Sequence, residues 1–385
     1  MYQNYFRKID ELYPKYVTVW QEICNLESPT KAKAGVDAVG HYFSIFAAQR
    51  GWKTETFCHE VSGNVVCITM NSDSPLPPIA LSGHMDTVHP IGSFGTPATK
   101  VEADKIYGPG VCDCKGGLVA ALLAMDALHQ CGYQSRPIML LLQSDEENGS
   151  TQSNHATIQY ICDKAKNAIA FLNMEGHTQG EACLIRKGIV TYTFTVNGIA
   201  AHSSRCARDG ANAIAEAAHK ILEIEKIKDD NGVTCCCSII SGGSTVNTVP
   251  GTCSFKVNIR YATAQQRSEI DQKMREIADQ VYINGCHTAL SVSSGRIAME
   301  YSAKNQALLD TMNAAFLRSG LPQLKASKRT GGSDAADVTA YGIPCVDSIG
   351  VRGDKVHTLQ EYAFLCSLSE SAKRIAAVAD YLSQE

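Results

Sequence analysis

The sequence predicts an α/β protein in which a larger α/β/α domain is interrupted by a smaller α+β domain. Strand-type apolar runs alternate with helix-type segments in residues 1–186, and this alternation, typical of an α/β sandwich, resumes after residue 299. Between these stretches, residues 187–298 follow the order β-α-β-β-α-β of a ferredoxin-like unit. With 385 residues the chain is long enough for two domains. We therefore expect a discontinuous domain, 1–186 plus 299–385, with 187–298 inserted.

Apolar spacing assigns the individual elements. In the larger domain the predicted elements are helices over 9–28 and 36–51, strands over 65–70 and 79–83, a helix over 116–132, and strands over 137–143, 168–174 and 343–351. The runs 137–143 and 168–174 are apolar throughout, as strands covered on both faces must be. In the smaller domain the predicted strands cover 189–198, 233–243, 252–262 and 287–295, and the predicted helices cover 211–227 and 265–281.

Composition excludes several classes of protein. Hydrophobic residues make up 44% and charged residues 19%, as in an ordinary globular protein. The net charge of −4 favours neither nucleic acid nor an anionic membrane as a partner. The N-terminus has no apolar leader, and no run approaches the ~18 apolar residues that span a bilayer, so we expect a cytoplasmic protein. The sixteen cysteines form no paired CxxC motifs, which indicates reduced, mostly buried thiols.

Several predicted strands end in residues that can bind metal ions. In an open parallel sheet, ligands bind at the carboxyl ends of the strands, so side chains placed there converge. Another acid, in "YGPGVCDCKGG", directly precedes a predicted helix. The residues concerned are His84 and Asp86 after 79–83; Asp145, Glu146 and Glu147 after 137–143; Glu175 after 168–174; His357 after 343–351; and Asp113 before 116–132.

The residue types favour zinc. Two histidines with carboxylates suit Zn²⁺, and Co²⁺ and Mn²⁺ are alternatives. One acid more than a tetrahedral ion needs suggests two ions bridged by a carboxylate, roughly 3.5–4 Å apart. The adjacent acids Glu146 and Glu147 suggest a division of labour, in which one binds metal and the other takes a proton from water.

A set of motifs, taken together, resembles a known family. "GHMDTV", "YGPGVCDCKGG", "SDEENGS", "GIAAHSSRCARDGANAI", "GGSTVNTVP", "GGSDAAD" and a late "HT" occur in the order found in the co-catalytic zinc peptidase and deacylase family. That family includes glutamate carboxypeptidase, succinyl-diaminopimelate desuccinylase, acetylornithine deacetylase, tripeptidase T and aminoacylase-1. The resemblance covers nearly the whole chain and implies a zinc-exopeptidase-like domain carrying a lid and dimerisation domain.

The resemblance also implies roles at the matched positions. It makes Asp113 a bridge between two zinc ions. One ion would be held by His84 and Glu175, and the other by Glu147 and His357. Glu146 would be the general base, and Asp86 would orient His84, a support that such ligands usually need. A cis peptide bond is expected between Asp113 and Cys114.

Three residues of the inserted domain match family positions as well. His202, in "AAHSS", resembles the histidine that reaches into the neighbouring subunit's site and stabilises the oxyanion. Asn247, in "TVNTVP", resembles the amide that assists it. Arg260, in "VNIRY", resembles the arginine that binds a substrate carboxylate, a task suited to its planar fork. The implied assembly is a homodimer formed through the lid domain.

Two positions depart from the family pattern. The residue after the bridging aspartate is usually methionine or an acid, and here it is Cys114, which could be an inert filler, a point of oxidative inactivation or an extra ligand. Gly176 stands where glutamate carboxypeptidases tend to have proline, which leaves the subfamily open. His89 and His177 match no family position and are interpreted as structural.

The predicted function is hydrolysis of a peptide or amide bond in small peptides or amino-acid conjugates. An exopeptidase of the carboxypeptidase or tripeptidase kind is favoured, and an N-acyl-amino-acid deacylase is the close alternative. Two other classes are a binding protein that has lost catalysis and a thiol-based redox sensor. Retention of Glu146 and every implied ligand disfavours the first, and the absence of a CxxC pair disfavours the second.

Overall fold

The computed structural model describes residues 2–228 and 232–384 and divides into two compact units. The first unit comprises Met1–Leu184, Tyr301–Lys328 and Ser333–Glu385, and the second comprises Ile185–Glu300 with Arg329–Gly332. Among these described residues, no helix combines the length and the apolar character that crossing a bilayer requires.

Helices and strands alternate along much of the chain. The helices are α1 (Tyr2–Asn25), α2 (Lys33–Ala48), α3 (Lys115–Gln130), α4 (Ala156–Ala165), α5 (Cys206–Asp209), α6 (Ala213–Ile224), α7 (Ala264–Asp279), α8 (Ala303–Ser319), α9 (Ala335–Ala340) and α10 (Cys366–Leu382). The strands are β1 (Lys53–Phe57), β2 (Val65–Met70), β3 (Ile79–His84), β4 (Lys100–Glu102), β5 (Lys105–Tyr107), β6 (Ile138–Gln143), β7 (Ala170–Asn173), β8 (Glu181–Arg186), β9 (Gly188–Asn197), β10 (Thr234–Gly242), β11 (Thr252–Tyr261), β12 (His287–Arg296), β13 (Lys325–Arg329), β14 (Cys345–Val346), β15 (Gly353–Asp354) and β16 (Tyr362–Phe364).

The first unit is built on a six-stranded sheet of order β1-β2-β6-β3-β7-β14. The strands β6, β3, β7 and β14 are parallel, whereas β1 and β2 join antiparallel at one edge, so the sheet is mixed. Every residue of β3, β6 and β7 is buried, which explains why these strands are continuous apolar runs in the sequence. The carboxyl ends of the parallel strands lie along one edge of the sheet, as predicted.

Helix α3 is mostly apolar, as expected for a helix that is covered on all sides. It packs against α1, α10 and β3, and its residues from Lys115 to Leu128 are buried. Gly116 and Gly117 allow its first turn to lie close to neighbouring backbone, since a Cβ there would come within 2.1 Å of Val111 O or 2.0 Å of Met174 O. The packing fixes the start of α3, and with it the loop that precedes the helix.

The predicted strand over 343–351 is much shorter than expected. Only Cys345 and Val346 pair with β7. Ser348 adopts a left-handed backbone conformation with φ of 63°, which ends the strand. The chain then continues to β15 and β16, which form a small sheet of order β15-β16-β5-β4. The loop between β15 and β16 carries His357.

The second unit confirms the predicted ferredoxin-like order. Its sheet has the strand order β10-β11-β9-β12, with antiparallel neighbours, and α6 and α7 pack against it. Burial alternates along β9, in agreement with the period-two pattern of its sequence. Phe194 and Phe255 stack in its core with ring centroids 4.7 Å apart.

Candidate metal centre and active site

His84 is the last residue of β3 and is fixed by Asp86. Its Nδ1 lies 2.9 Å from the carbonyl oxygen of Asp86 and 3.4 Å from a carboxylate oxygen of the same residue. Because a carbonyl oxygen only accepts, Nδ1 carries the hydrogen and Nε2 faces the opposite side. There Nε2 lies 3.0 Å from Asp113 Oδ1 and 3.6 Å from Glu175 Oε1. The arrangement is that of a histidine aimed at a metal ion.

Asp113 faces two histidines with its two carboxylate oxygens. Oδ1 lies 3.0 Å from His84 Nε2, and Oδ2 lies 3.2 Å from His357 Nε2. The peptide bond between Asp113 and Cys114 is cis, as expected. A carboxylate with one histidine at each oxygen is suited to bridging two ions.

Glu147 completes the second side of the cluster. Its Oε2 lies 3.2 Å from His357 Nε2, on the loop between β15 and β16. Glu146 and Glu147 begin a short 3-10 turn that two residues separate from the end of β6, and their backbone N–H groups donate to Asp86 at 3.1 and 3.2 Å. Asp86 therefore supports His84 and the two glutamates together. Thr30 donates a further hydrogen bond to it at 2.7 Å.

The pKa values of the clustered side chains indicate that a positive charge between them is stabilised. Hydrogen bonds to Asp113 and Glu147 raise the pKa of His357 to about 11. Burial, together with the charge of Asp113, raises the pKa of Glu147 to about 7. Burial also opposes ionisation of Asp113, but hydrogen bonds from His357 and His84 hold its pKa well below its usual range. Imidazole nitrogens and carboxylate oxygens are donors that zinc accepts, so this donor set fits such an ion. His84, Asp113 and Glu147 each bring one ligand atom within 4.8 Å of the others.

The Cys114 thiol lies beside this cluster. It is fully buried, and its sulfur also comes within 4.8 Å of ligand atoms of His84 and Glu175. Its Sγ accepts the His84 backbone N–H at 3.1 Å and donates to the His84 carbonyl at 3.9 Å. Burial raises the pKa of this thiol to about 12. The contacts with the His84 backbone are those of a packed thiol and support its interpretation as a filler. None of the sixteen cysteines, all of which lie in the described part of the chain, forms a disulfide, and most are buried.

Several residues that support the centre were not found from the sequence. Lys115 is fully buried, donates to Leu26 O at 3.0 Å and to Ser28 Oγ at 3.1 Å, and has a pKa lowered by burial. Ser28 in turn donates to Met85 O at 2.6 Å, which ties the segment after α1 to the end of β3. Glu361 accepts backbone N–H groups from the loop that carries Asp113. None of these residues stands in a local pattern that signals its partner.

The three residues predicted in the inserted domain lie in the second unit. His202 is exposed, and its Nδ1 accepts the Ser204 backbone N–H at 3.3 Å. A neutral His202 therefore carries its hydrogen on Nε2, where it can be donated. Asn247 is also exposed, and its main-chain carbonyl accepts the Ser203 N–H at 2.9 Å, which places it beside His202. Arg260 lies on β11 and donates to the carbonyl of Thr330.

The chain is similar to known hydrolases over most of its length. A model described as Peptidase family M20/M25/M40 matches residues 80–384. Carboxypeptidase G2 of Pseudomonas sp. (strain RS-16) is 26% identical over 361 residues, which cover 92% of this chain and 85% of that protein. Succinyl-diaminopimelate desuccinylase of Nitrosospira multiformis is 26% identical over 320 residues, 78% of this chain and 81% of that protein. The solved structure of aminopeptidase PepT from Bacillus cereus shares the fold, with a TM-score of 0.79 at 19% identity over 96% of this chain and 98% of that one. The chain therefore belongs to Peptidase family M20/M25/M40 and is a metal-dependent hydrolase.

Proposed function

We propose that the protein is a dinuclear zinc exopeptidase, of the carboxypeptidase or tripeptidase kind, that acts on small peptides. One observation carries the metal part of this proposal, namely that the two oxygens of Asp113 face His84 on one side and His357 on the other. We assign His84 and Glu175 to one ion, Glu147 and His357 to the second, and Asp113 to both. Co²⁺ and Mn²⁺ are alternatives to zinc.

Bound ions of this kind supply Lewis acidity, which polarises a carbonyl group and makes water a better nucleophile. The chain's own residues supply the proton transfers. We assign Glu146 as the general base that takes a proton from the attacking water and passes it to the leaving amine. The contacts of the neighbouring Glu147 support this role. The Glu147 carboxylate lies against His357, while Asp86 accepts the backbone N–H groups of both glutamates.

We assign the inserted domain to substrate binding and dimerisation. His202 from a partner subunit would donate its Nε2–H to the oxyanion, with Asn247 beside it, and Arg260 would bind a substrate carboxylate. Cysteines without disulfides fit a reducing compartment, so we assign the enzyme to the cytoplasm.

Mixing two inactive variants tests whether His202 acts in trans. His202→Ala and Glu146→Gln are each expected to be inactive, because each lacks one part of the site. A mixed dimer holds one site with an intact Glu146 and an intact partner histidine. We therefore expect subunit exchange between the two variants to restore up to about half of the wild-type activity per mixed dimer. Failure to restore activity, although mass spectrometry shows exchanged subunits, would assign His202 to its own subunit.

A deacylase is the second candidate, because a succinyl-diaminopimelate desuccinylase is among the relatives at 26% identity. The same residues would then cleave an acyl group from an amino acid. Hydrolysis of two substrate panels by the zinc-loaded protein separates the candidates. One panel holds di- and tripeptides that are blocked at the N-terminus or at the C-terminus. The other holds N-acetyl and N-succinyl amino acids. Cleavage of the peptides alone is expected. Cleavage of the acyl amino acids alone would replace the exopeptidase by the deacylase.

A further inference from the structure

The buried carboxylate of Glu361 accepts hydrogen bonds from the loop that carries Asp113. Its side chain is 1% exposed, and its Oε1 accepts the backbone N–H groups of Cys112 at 2.9 Å and Asp113 at 3.1 Å. Its Oε2 accepts the N–H of Gly110 at 3.2 Å. Gly110 has a φ of +75°, a left-handed conformation that glycine adopts without strain. Three donors of one loop thus converge on a single side chain.

A histidine completes the environment of this carboxylate. His89 Nε2 lies 3.1 Å from Glu361 Oε2, and the His89 side chain is 6% exposed. Because a carboxylate oxygen only accepts, Nε2 carries the hydrogen of this bond. Glu361 therefore accepts four hydrogen bonds, which matches the capacity of an ionised carboxylate and exceeds that of an amide oxygen.

The position of Glu361 in the chain connects the two sides of the metal centre. It lies on the same loop between β15 and β16 as His357, whose Nε2 is 3.2 Å from Asp113 Oδ2. The main chain of Glu361 is also fixed, since its carbonyl accepts the Gly108 N–H at 3.3 Å. One loop thus presents His357 and, through Glu361, holds the backbone of the acid that His357 faces.

We propose that Glu361 is a positioning residue of the metal centre, which orients Asp113 so that its two oxygens serve two ions. This inference rests on the dinuclear centre of the proposed function. Glu361 itself is not among the residues assigned as ligands. It acts by holding the Asp113 main chain, so its loss weakens metal binding at both sites. Outer partners of metal ligands typically contribute about 10–100-fold to metal affinity.

The proposal is tested by the zinc affinities of the variants Glu361→Ala and Glu361→Gln. Competition with a chelating dye measures these affinities without relying on catalysis. We expect Glu361→Ala to bind each zinc about 10–100-fold more weakly than the wild type. Glu361→Gln can keep its oxygen on the N–H groups of Cys112 and Asp113 but turns an N–H donor toward Gly110 and His89, so a loss smaller than that of the alanine variant is expected. A positioning role predicts that zinc affinity falls further in Glu361→Ala than in Glu361→Gln. Glu361→Gln carries the test if the alanine variant does not fold.

Asp126→Asn is the matched control. Asp126 is 1% exposed in the same unit, about three turns along α3, and is held by Arg50 and Tyr16. This variant should unfold more easily in the metal-free state but keep wild-type zinc affinity. Glu361 variants that lose stability like Asp126→Asn, yet bind zinc within about threefold of the wild type, would overturn the proposal. A wild type that takes up one zinc only would contradict the dinuclear centre, while the affinity for that ion would still test Glu361.

Discussion

Replacement of Glu146 by glutamine is expected to lower turnover by about 10²–10⁴-fold while both zinc ions stay bound. Glutamine has nearly the same shape as glutamate but cannot accept the proton of the attacking water. The backbone contact of residue 146 with Asp86, at 3.1 Å, does not depend on the side chain and should persist. Steady-state kinetics on the best substrate, together with zinc content after gel filtration, measures both quantities on one sample.

Glu147→Gln is the matched control, because it makes the same chemical change one residue further along the chain. Glu147 Oε2 lies 3.2 Å from His357 Nε2, so this variant should retain one zinc and lose the other. If Glu146→Gln is the variant that loses zinc, and Glu147→Gln keeps both ions, the two glutamates have exchanged roles.

Replacement of Asp113 by asparagine is expected to weaken binding at both zinc sites by more than about 100-fold, beyond the loss typical of an outer partner. One carboxylate oxygen of Asp113 lies 3.0 Å from His84 Nε2, and the other lies 3.2 Å from His357 Nε2. An amide offers a single neutral oxygen, and its nitrogen cannot bind a metal ion. Dye competition gives the affinities, and hydrolysis should fall with the zinc content.

The outcome for Asp113→Asn distinguishes a bridge from a terminal ligand. Loss at one site, with wild-type affinity at the other, would assign Asp113 to a single ion and contradict the shared carboxylate. Glu175→Gln provides the comparison, because Glu175 Oε1 lies 3.6 Å from His84 Nε2 and is assigned to one ion. Its substitution should weaken only that ion.

The parts of the site predicted from the sequence are those with a local signal. His84 and Glu146 stand at or shortly after the ends of strand-type runs, and such runs end at an edge of the sheet, where the structure does bring polar side chains together. The ferredoxin-like order of elements was likewise readable from the alternation of apolar and polar residues along single strands such as β9, whose burial alternates in the same way. The resemblance to a family added the pairing of Asp113 with His357, which no spacing in the chain indicates.

What the sequence did not predict depends on contacts between distant residues. Glu361 meets Cys112 across 249 positions of the chain, and its partners there are backbone N–H groups, which are the same in every residue type. Lys115 stands in a glycine-rich motif and was not recognised as a supporting residue, because its partner Leu26 also contributes only a carbonyl group. The strand over 343–351 was overestimated because apolar composition does not reveal the left-handed conformation at Ser348. In each case the deciding interaction involves the backbone.

Anomalous diffraction from zinc-loaded crystals, recorded on either side of the zinc absorption edge, tests the central claim most directly. The expected result is two peaks roughly 3.5–4 Å apart, with Asp113 between them. His84 and Glu175 should contact one peak, and Glu147 and His357 the other. A single peak, or two peaks that Asp113 does not join, would contradict the dinuclear centre, and a peak bound by Cys114 would contradict the assignment of that thiol as a filler.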